Sequence, residues 1–169
     1  MDAIQAILTR RSIRKYTSQS INDWIIQDLL KAAMSAPSAG NQQPWHFLVI
    51  KERRILDEIP KFHPYSNMLR SAPAAILICG DERLEVHRGY WIQDCAAATQ
   101  NMLLAAHALG LGAVWLGVFP NPDRVAGVRK VVDLPHDIIP FALISMGYPA
   151  EQKPPAQRFD LNRIHYEQW

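Results

Sequence analysis

Hydrophobic and polar positions along this chain change period repeatedly, and each change marks an element. Ile4, Ile7 and Leu8 recur at helical spacing behind Asp2, which can cap the turn they begin. Ile25, Ile26, Leu29, Leu30 and Ala33 repeat that spacing, and Ser20 with Asp23 resembles a capping box, so a helix is expected over 21–34. The polar turn from Ser35 to Pro44 breaks it. His46 to Ile50 reads as a strand, 52–59 as a short amphipathic helix, and 60–73, with Pro60, Pro64 and Pro73, as a loop. Ala74 to Cys79 is apolar throughout and reads as a buried strand bounded by Gly80-Asp81. A long helix is expected from about Gly89 to Leu109, stopped by Gly110. Ala113–Val118 and Phe141–Met146 read as strands around a short helix at Asp123–Val131. Helices alternating with short strands imply an α/β or α+β layered sheet with helices packed over it.

The tail from Tyr148 to Trp169 breaks the pattern. It is proline-rich with scattered apolar residues, yet it ends Ile164-His165-Tyr166-Glu167-Gln168-Trp169. Large aromatics are costly to leave in water, so this arm is expected to wrap a second copy of the chain.

Bulk composition narrows the class. The 169 residues fit one domain, with 49% apolar and 20% charged residues. The 18 basic and 16 acidic side chains leave a net charge of +2, too balanced for a surface that tracks a nucleic-acid backbone. Cys79 and Cys95 form no C-x-x-C, and His46, His63, His87, His107, His136 and His165 show no metal-ligand spacing, so no metal is expected. The start, Met1-Asp2-Ala3-Ile4, lacks the basic region of a signal peptide and no apolar run is long enough for a membrane span, so a cytoplasmic protein is expected.

Two segments carry candidate chemistry. Arg10, Arg11, Ser12 and Arg14 put guanidinium forks and a hydroxyl directly after the first helix, which suits phosphate oxygens. Charge alone favours a solvated helix end that complements the macrodipole. The second segment, Pro37 to Trp45, joins stiff prolines, a permissive Gly40 and the neutral donors and acceptors of Ser38, Asn41, Gln42 and Gln43. Such amides suit a ring bearing both carbonyl oxygens and N–H groups. Gly110-Leu111-Gly112 follows a helix and precedes a strand, the reverse of a dinucleotide fingerprint. Gly117, at a strand end, would let a flat ligand approach the backbone. No G-x-S-x-G elbow or P-loop is present.

Taken together, Arg-Arg-Ser-Ile-Arg-Lys-Tyr at 10–16, Ala-Pro-Ser-Ala-Gly-Asn-Gln-Gln-Pro-Trp at 36–45, Trp115-Leu116-Gly117-Val118 and the Arg158 arm resemble the nitroreductase family of FMN-dependent oxidoreductases, in its short single-domain form. The resemblance implies an α+β fold with a central, mainly antiparallel sheet flanked by helices. It also implies an intertwined homodimer with FMN at the subunit interface. Arg10, Arg11, Ser12 and Arg14 would address the phosphate, ribityl chain and pyrimidine edge from one subunit. Pro37, Ser38, Ala39, Asn41 and Gln43 would approach from the other. Asn67 and Arg70 would reach the pyrimidine side, Leu116 and Gly117 would lie beneath the ring system, and Arg158, with Arg163 as a weaker candidate, would complete the phosphate site. Longer members insert a helical segment over the flavin, for which this chain has little room between Gly117 and Pro140.

The implied chemistry is ping-pong: NADH or NADPH reduces the flavin, then a planar acceptor such as a nitroaromatic compound or quinone takes the electrons. Phe62 and Tyr65 would line the substrate pocket, Arg14 would stabilise charge near N1/O2, and no side chain is an acid or base in the strict sense. Two other readings stay open: a relative with specialised flavin chemistry, such as reductive substituent removal or flavin turnover, and a non-enzymatic interaction or nucleic-acid-binding domain.

Overall fold

The computed structural model describes Met1 to Trp169. Its centre is a four-stranded antiparallel sheet made of β1 (Trp45–Ile50), β2 (Ala74–Asp81), β3 (Gly112–Gly117) and β4 (Ile138–Gly147), in the order β1-β2-β4-β3. Around it lie α1 (Ala3–Thr9), α2 (Asp23–Met34), α3 (Arg53–Glu58), α4 (Trp91–Ala108) and α5 (Pro122–Val132). This is the α+β fold with a central antiparallel sheet flanked by helices. No helix is long and apolar enough to cross a membrane.

The unbroken apolar runs of the inner strands have a direct cause. Side chains alternate across a strand, so a strand whose two faces are both covered reads as continuously hydrophobic. Ile76 and Ile78 of β2 pack toward α2 and α4 with Leu29, Ala98 and Met102. Their neighbours Ala75, Leu77 and Cys79 pack on the other face with Leu56 of α3 and Val128 of α5. Leu77 has no exposed surface, and truncating it to Ala would cost about 2–5 kcal/mol.

Several boundaries differ from expectation. The last strand starts at Ile138, not Phe141, because Pro140 is tolerated inside it: the register with β2 shifts between Ile78 and Cys79, Phe141 has no partner there, and Pro140 stands beside that bulge. α2 begins after Asn22, with no side-chain cap bond, so Ser20 does not close the expected box. α4 starts at Trp91; the residues before it form a short turn and a bend. The proline-rich loop holds 3-10 turns at Ile59–Lys61 and Asn67–Arg70. Asp2 does cap α1, accepting from Gln5 N at 2.8 Å. The stripe of α1, however, faces solvent: Ile4, Ile7 and Leu8 are exposed and only Ala6 is buried.

The segment after α1 is fixed to the outer edge of the sheet. Ser12 bridges Ala113 in parallel, and Ile13 N donates to Ala113 O at 3.0 Å. Ile13 seats directly over Gly112, where a Cβ would lie 2.6 Å from its Cγ2, so only glycine permits the approach. Tyr16 lies against Gly147 in the same way, and its buried hydroxyl is shared between Ile13 O (2.9 Å) and Ser145 O (3.1 Å). Burial pushes that phenol up to about 12. These anchors hold Arg10, Arg11, Ser12 and Arg14 along the β3 edge.

Candidate active site

The end of β3 opens into a cavity of about 490 Å³ whose walls come from four parts of the chain. Trp115, Leu116 and Gly117 form one wall, and Arg14 enters from the segment along β3. The 63–68 loop supplies His63, Tyr65 and Asn67, and α5 supplies Arg124. A Cβ on Gly117 would meet nothing within 4 Å, so the backbone is open to a flat ligand there. No carboxylate lines the space, although two arginines do.

The loop is shaped by local hydrogen bonds. His63 N donates to Ile59 O at 3.0 Å, and the buried Ser66 hydroxyl donates to His63 O at 2.7 Å. The His63 ring is buried with Nε2 3.0 Å from Gly117 O. A carbonyl only accepts, so Nε2 carries the proton and the buried Nδ1, which has no partner, is bare. Burial lowers the pKa of His63, and the Arg124 cation lowers it further against the opposing pull of Gly117 O. Arg124 Nη1 donates to the same carbonyl at 3.0 Å, and its guanidinium lies 5.3 Å from the Tyr65 ring centroid. The Asn121 side chain fixes the start of α5 by accepting from Arg124 N at 3.0 Å.

A second cavity, about 430 Å³, lies between α1 and the C-terminal arm. Arg10 and Arg158 both line it, and neither has a carboxylate partner. Burial, then the nearby Arg158 and Arg11 cations, lower the pKa of Arg10. Two guanidiniums facing one space without a counter-charge constitute an electrostatic deficit that a phosphate would relieve.

Arg11 points elsewhere, donating to Pro154 O of the arm. The Ser12 carbonyl accepts from Lys153 Nζ at 2.8 Å, and Glu151 accepts from Arg14 N at 2.6 Å. That bond from Arg14 N leads the causes that hold the Glu151 carboxyl below its ordinary range, with Lys153 close behind. The first part of the arm, as far as Pro154, is thus tied to the arginine segment. Arg163 pairs with Asp160 at 3.2 Å.

The Ser38–Gln43 turn is built within the chain. Buried Asp94 in the first turn of α4 accepts from Ala39 N (3.0 Å) and Gln42 Nε2 (2.6 Å), while Gln42 Oε1 accepts from Val86 N and His87 N. Ser38 Oγ accepts from Gln43 N at 3.0 Å, and Gln43 Nε2 donates to Asn41 Oδ1 at 2.9 Å. Gly40, Asn41 and Gln43 all have left-handed φ, of 54°, 57° and 48°. For Gln43 that conformation costs about 1–2 kcal/mol, and such strain concentrates where backbone is held for a ligand. Pro37 leads into this turn.

The sheet order separates these regions. The turn feeds β1 at one edge, whereas the arginine segment lies along β3 at the other, three interstrand spacings of about 4.8 Å away. The cavity therefore gathers Arg14, Tyr65, Asn67, Leu116 and Gly117; the second cavity gathers Arg10 and Arg158; Pro37, Ser38, Ala39, Asn41 and Gln43 stand apart. Arg70 donates to Asn67 Oδ1 at 3.2 Å but lines a different cleft, beside Arg53 and Tyr16. Phe62 packs its ring against Gly127 of α5 and does not line the cavity. His63, Trp115 and Arg124 are lining residues that sequence reasoning did not select. Only the clustering of His63 with Tyr65 between prolines hinted at the first.

Comparison with known proteins places the fold in a family. The chain matches the Nitroreductase family over residues 7–63 and 61–148. It is 51% identical over 169 residues to an inferred NADH dehydrogenase/NAD(P)H nitroreductase of Methanothermobacter thermautotrophicus, covering 100% of this chain and 88% of that protein. It superposes on an FMN-dependent nitroreductase of Clostridium difficile R20291 with a TM-score of 0.91 at 28% identity, covering 98% of this chain and 99% of the other. A Desulfovibrio desulfuricans relative solved in complex with FMN gives a TM-score of 0.86 at 33% identity, covering 100% and 99% of the two chains. The chain belongs to the nitroreductase family of FMN-dependent oxidoreductases, in its short single-domain form.

Proposed function

We propose that this protein is an NAD(P)H-dependent FMN oxidoreductase that reduces a planar acceptor, such as a nitroaromatic compound or a quinone, and works as a homodimer with a composite site. One observation carries the reading. A single extended segment presents Arg10 to a carboxylate-free pocket shared with Arg158, and presents Arg14 to a cavity floored by the open backbone of Gly117.

These residues fit the phosphate and the ring of FMN. Arg10 and Arg158 would hold the phosphate, Arg14 and Asn67 would face the polar pyrimidine edge, and Leu116 and Gly117 would offer their backbone to the ring. When bound, FMN supplies the redox chemistry, accepting a hydride from NAD(P)H and passing two electrons to an acceptor that takes the same place. The chain's own contribution is electrostatic and steric. Arg14 favours negative charge at the pyrimidine edge, and His63 and Arg124 fix the Gly117 carbonyl.

The homodimer is supported by unpartnered apolar surface. Ile4, Ile7 and Leu8 on α1, and Phe159, Tyr166 and Trp169 on the arm, are exposed. It is supported also by the distance of the Ser38–Gln43 turn from the arginine segment: the partner subunit's copy of the turn would complete the site. The test is optical. The purified protein is expected to be yellow, or to become so with added FMN, and to bleach when NADH or NADPH is added without oxygen. A colourless protein that takes up no FMN would contradict the reading.

A further inference from the structure

The role of Arg124 lies beyond the flavin clamp, and it rests on the flavin reading only for what shares the cavity. Arg124 is far from the arginine segment in sequence and meets the cavity through the first turn of α5. It has no carboxylate partner, although Asp123 is its chain neighbour. Only Nη1 has a protein acceptor, Gly117 O at 3.0 Å. The Tyr65 ring, 5.3 Å away, braces the guanidinium from one side while staying 70% exposed itself. A guanidinium carries five N–H donors in a rigid fork, so the remaining donors are held in place with nothing in the chain to receive them. His63 beside it offers no anion, since an imidazole is neutral or cationic, and its unpartnered Nδ1 is buried.

A fixed, half-buried cation next to an exposed aromatic face and an open backbone is a recognition site for a flat molecule with an anionic end. We infer that Arg124 is a specificity residue: its free N–H fork anchors an anionic oxygen group on the planar ring ligand that enters this cavity, with Tyr65 covering the ring. The anion can be the carboxylate of an aromatic acceptor or the pyrophosphate of the reduced dinucleotide. Both present paired oxygens to the fork.

Calorimetric titration of the FMN-loaded protein with benzoate and with its neutral isostere benzamide tests the anchor directly. Benzoate is expected to bind more tightly by about 10-fold to 100-fold, the range of one charge-assisted hydrogen bond, and Arg124→Met is expected to erase that difference. Steady-state arms then assign the source. If Arg124→Met raises KM for 4-nitrobenzoate but not for its methyl ester, the anion belongs to the acceptor. If instead it raises KM for NADH but not for reduced nicotinamide riboside, which lacks the pyrophosphate, it belongs to the donor. Equal binding of benzoate and benzamide by the wild-type protein overturns the inference even if the variant fails to fold. Failure to take up FMN at all would strike the flavin reading, and the calorimetric preference for benzoate would still be measurable on its own.

Discussion

The arginines of this protein fall into two groups, and the contrast between two regions separates scaffold from site. At the β1–β2 end of the sheet, Arg83 is fully engaged: its Nε and Nη2 donate to Asp81 at 2.9 and 2.8 Å, and its Nη1 to Asp137 at 2.9 Å. Arg129 and Arg53 are similarly spent on backbone carbonyls. Along the β3 edge, Arg10, Arg14, Arg124 and Arg158 have no carboxylate partner while lining open clefts. A cation near a wall of low dielectric is costly unless a counter-charge meets it. Arg83 is held by carboxylates, and Arg129 and Arg53 by carbonyls of the fold; the proposed function reserves Arg10, Arg14, Arg124 and Arg158 for ligands.

The comparison can be broken most forcefully by removing the arm. Deleting residues 151–169 takes away Arg158, the Glu151 bonds to Arg14 and Lys15, and the Lys153 bond to Ser12. The truncated protein is expected to lose FMN retention and to elute as a monomer by light scattering, with the sheet intact by circular dichroism. A truncated dimer that still holds FMN would show that the arm serves neither role. Arg83→Met should act in the opposite sense, on stability and not on binding. Its hydrogen bonds hold the buried Asp81 carboxyl down to about 2. A depressed carboxylate contributes stability that is present above its unfolded value near ~3.9 and is lost as pH falls through the folded one. The variant should therefore unfold at higher pH on acid titration, with unchanged FMN affinity at neutral pH. The smallest effect is expected at Gln43. Gln43→Gly relieves left-handed strain but adds unfolded-state entropy, so stability should move by less than about 1 kcal/mol. FMN affinity should still fall several-fold, because the side-chain amide is lost; an unchanged affinity would remove Gln43 from the site.

Local periodicity made the scaffold legible. α2, α4 and β2 follow from their apolar spacing because burial of one stripe, or of both strand faces, leaves a direct mark on sequence. The limits of β4 did not, since whether Pro140 is tolerated depends on a bulge formed with β2. α1 carries a helical stripe whose burial the chain alone does not provide, and periodicity cannot say what covers a face. The arginine segment and the polar turn were visible as chemistry, but their placement on opposite sheet edges is a property of strand order. His63 and Arg124 were illegible for the same reason. They meet only through the carbonyl of Gly117, which lies 54 positions from His63 in the chain.

The central claim, that Arg10 and Arg158 form a cofactor phosphate clamp, is tested most directly by FMN titration of the wild-type protein and of Arg10→Ala/Arg158→Ala across a range of salt concentrations. The double variant is expected to bind FMN at least about 100-fold more weakly and to lose most of the salt dependence, with no loss of thermal stability because two repelling charges are gone. Equal FMN affinity and equal salt dependence in the two proteins would contradict the account.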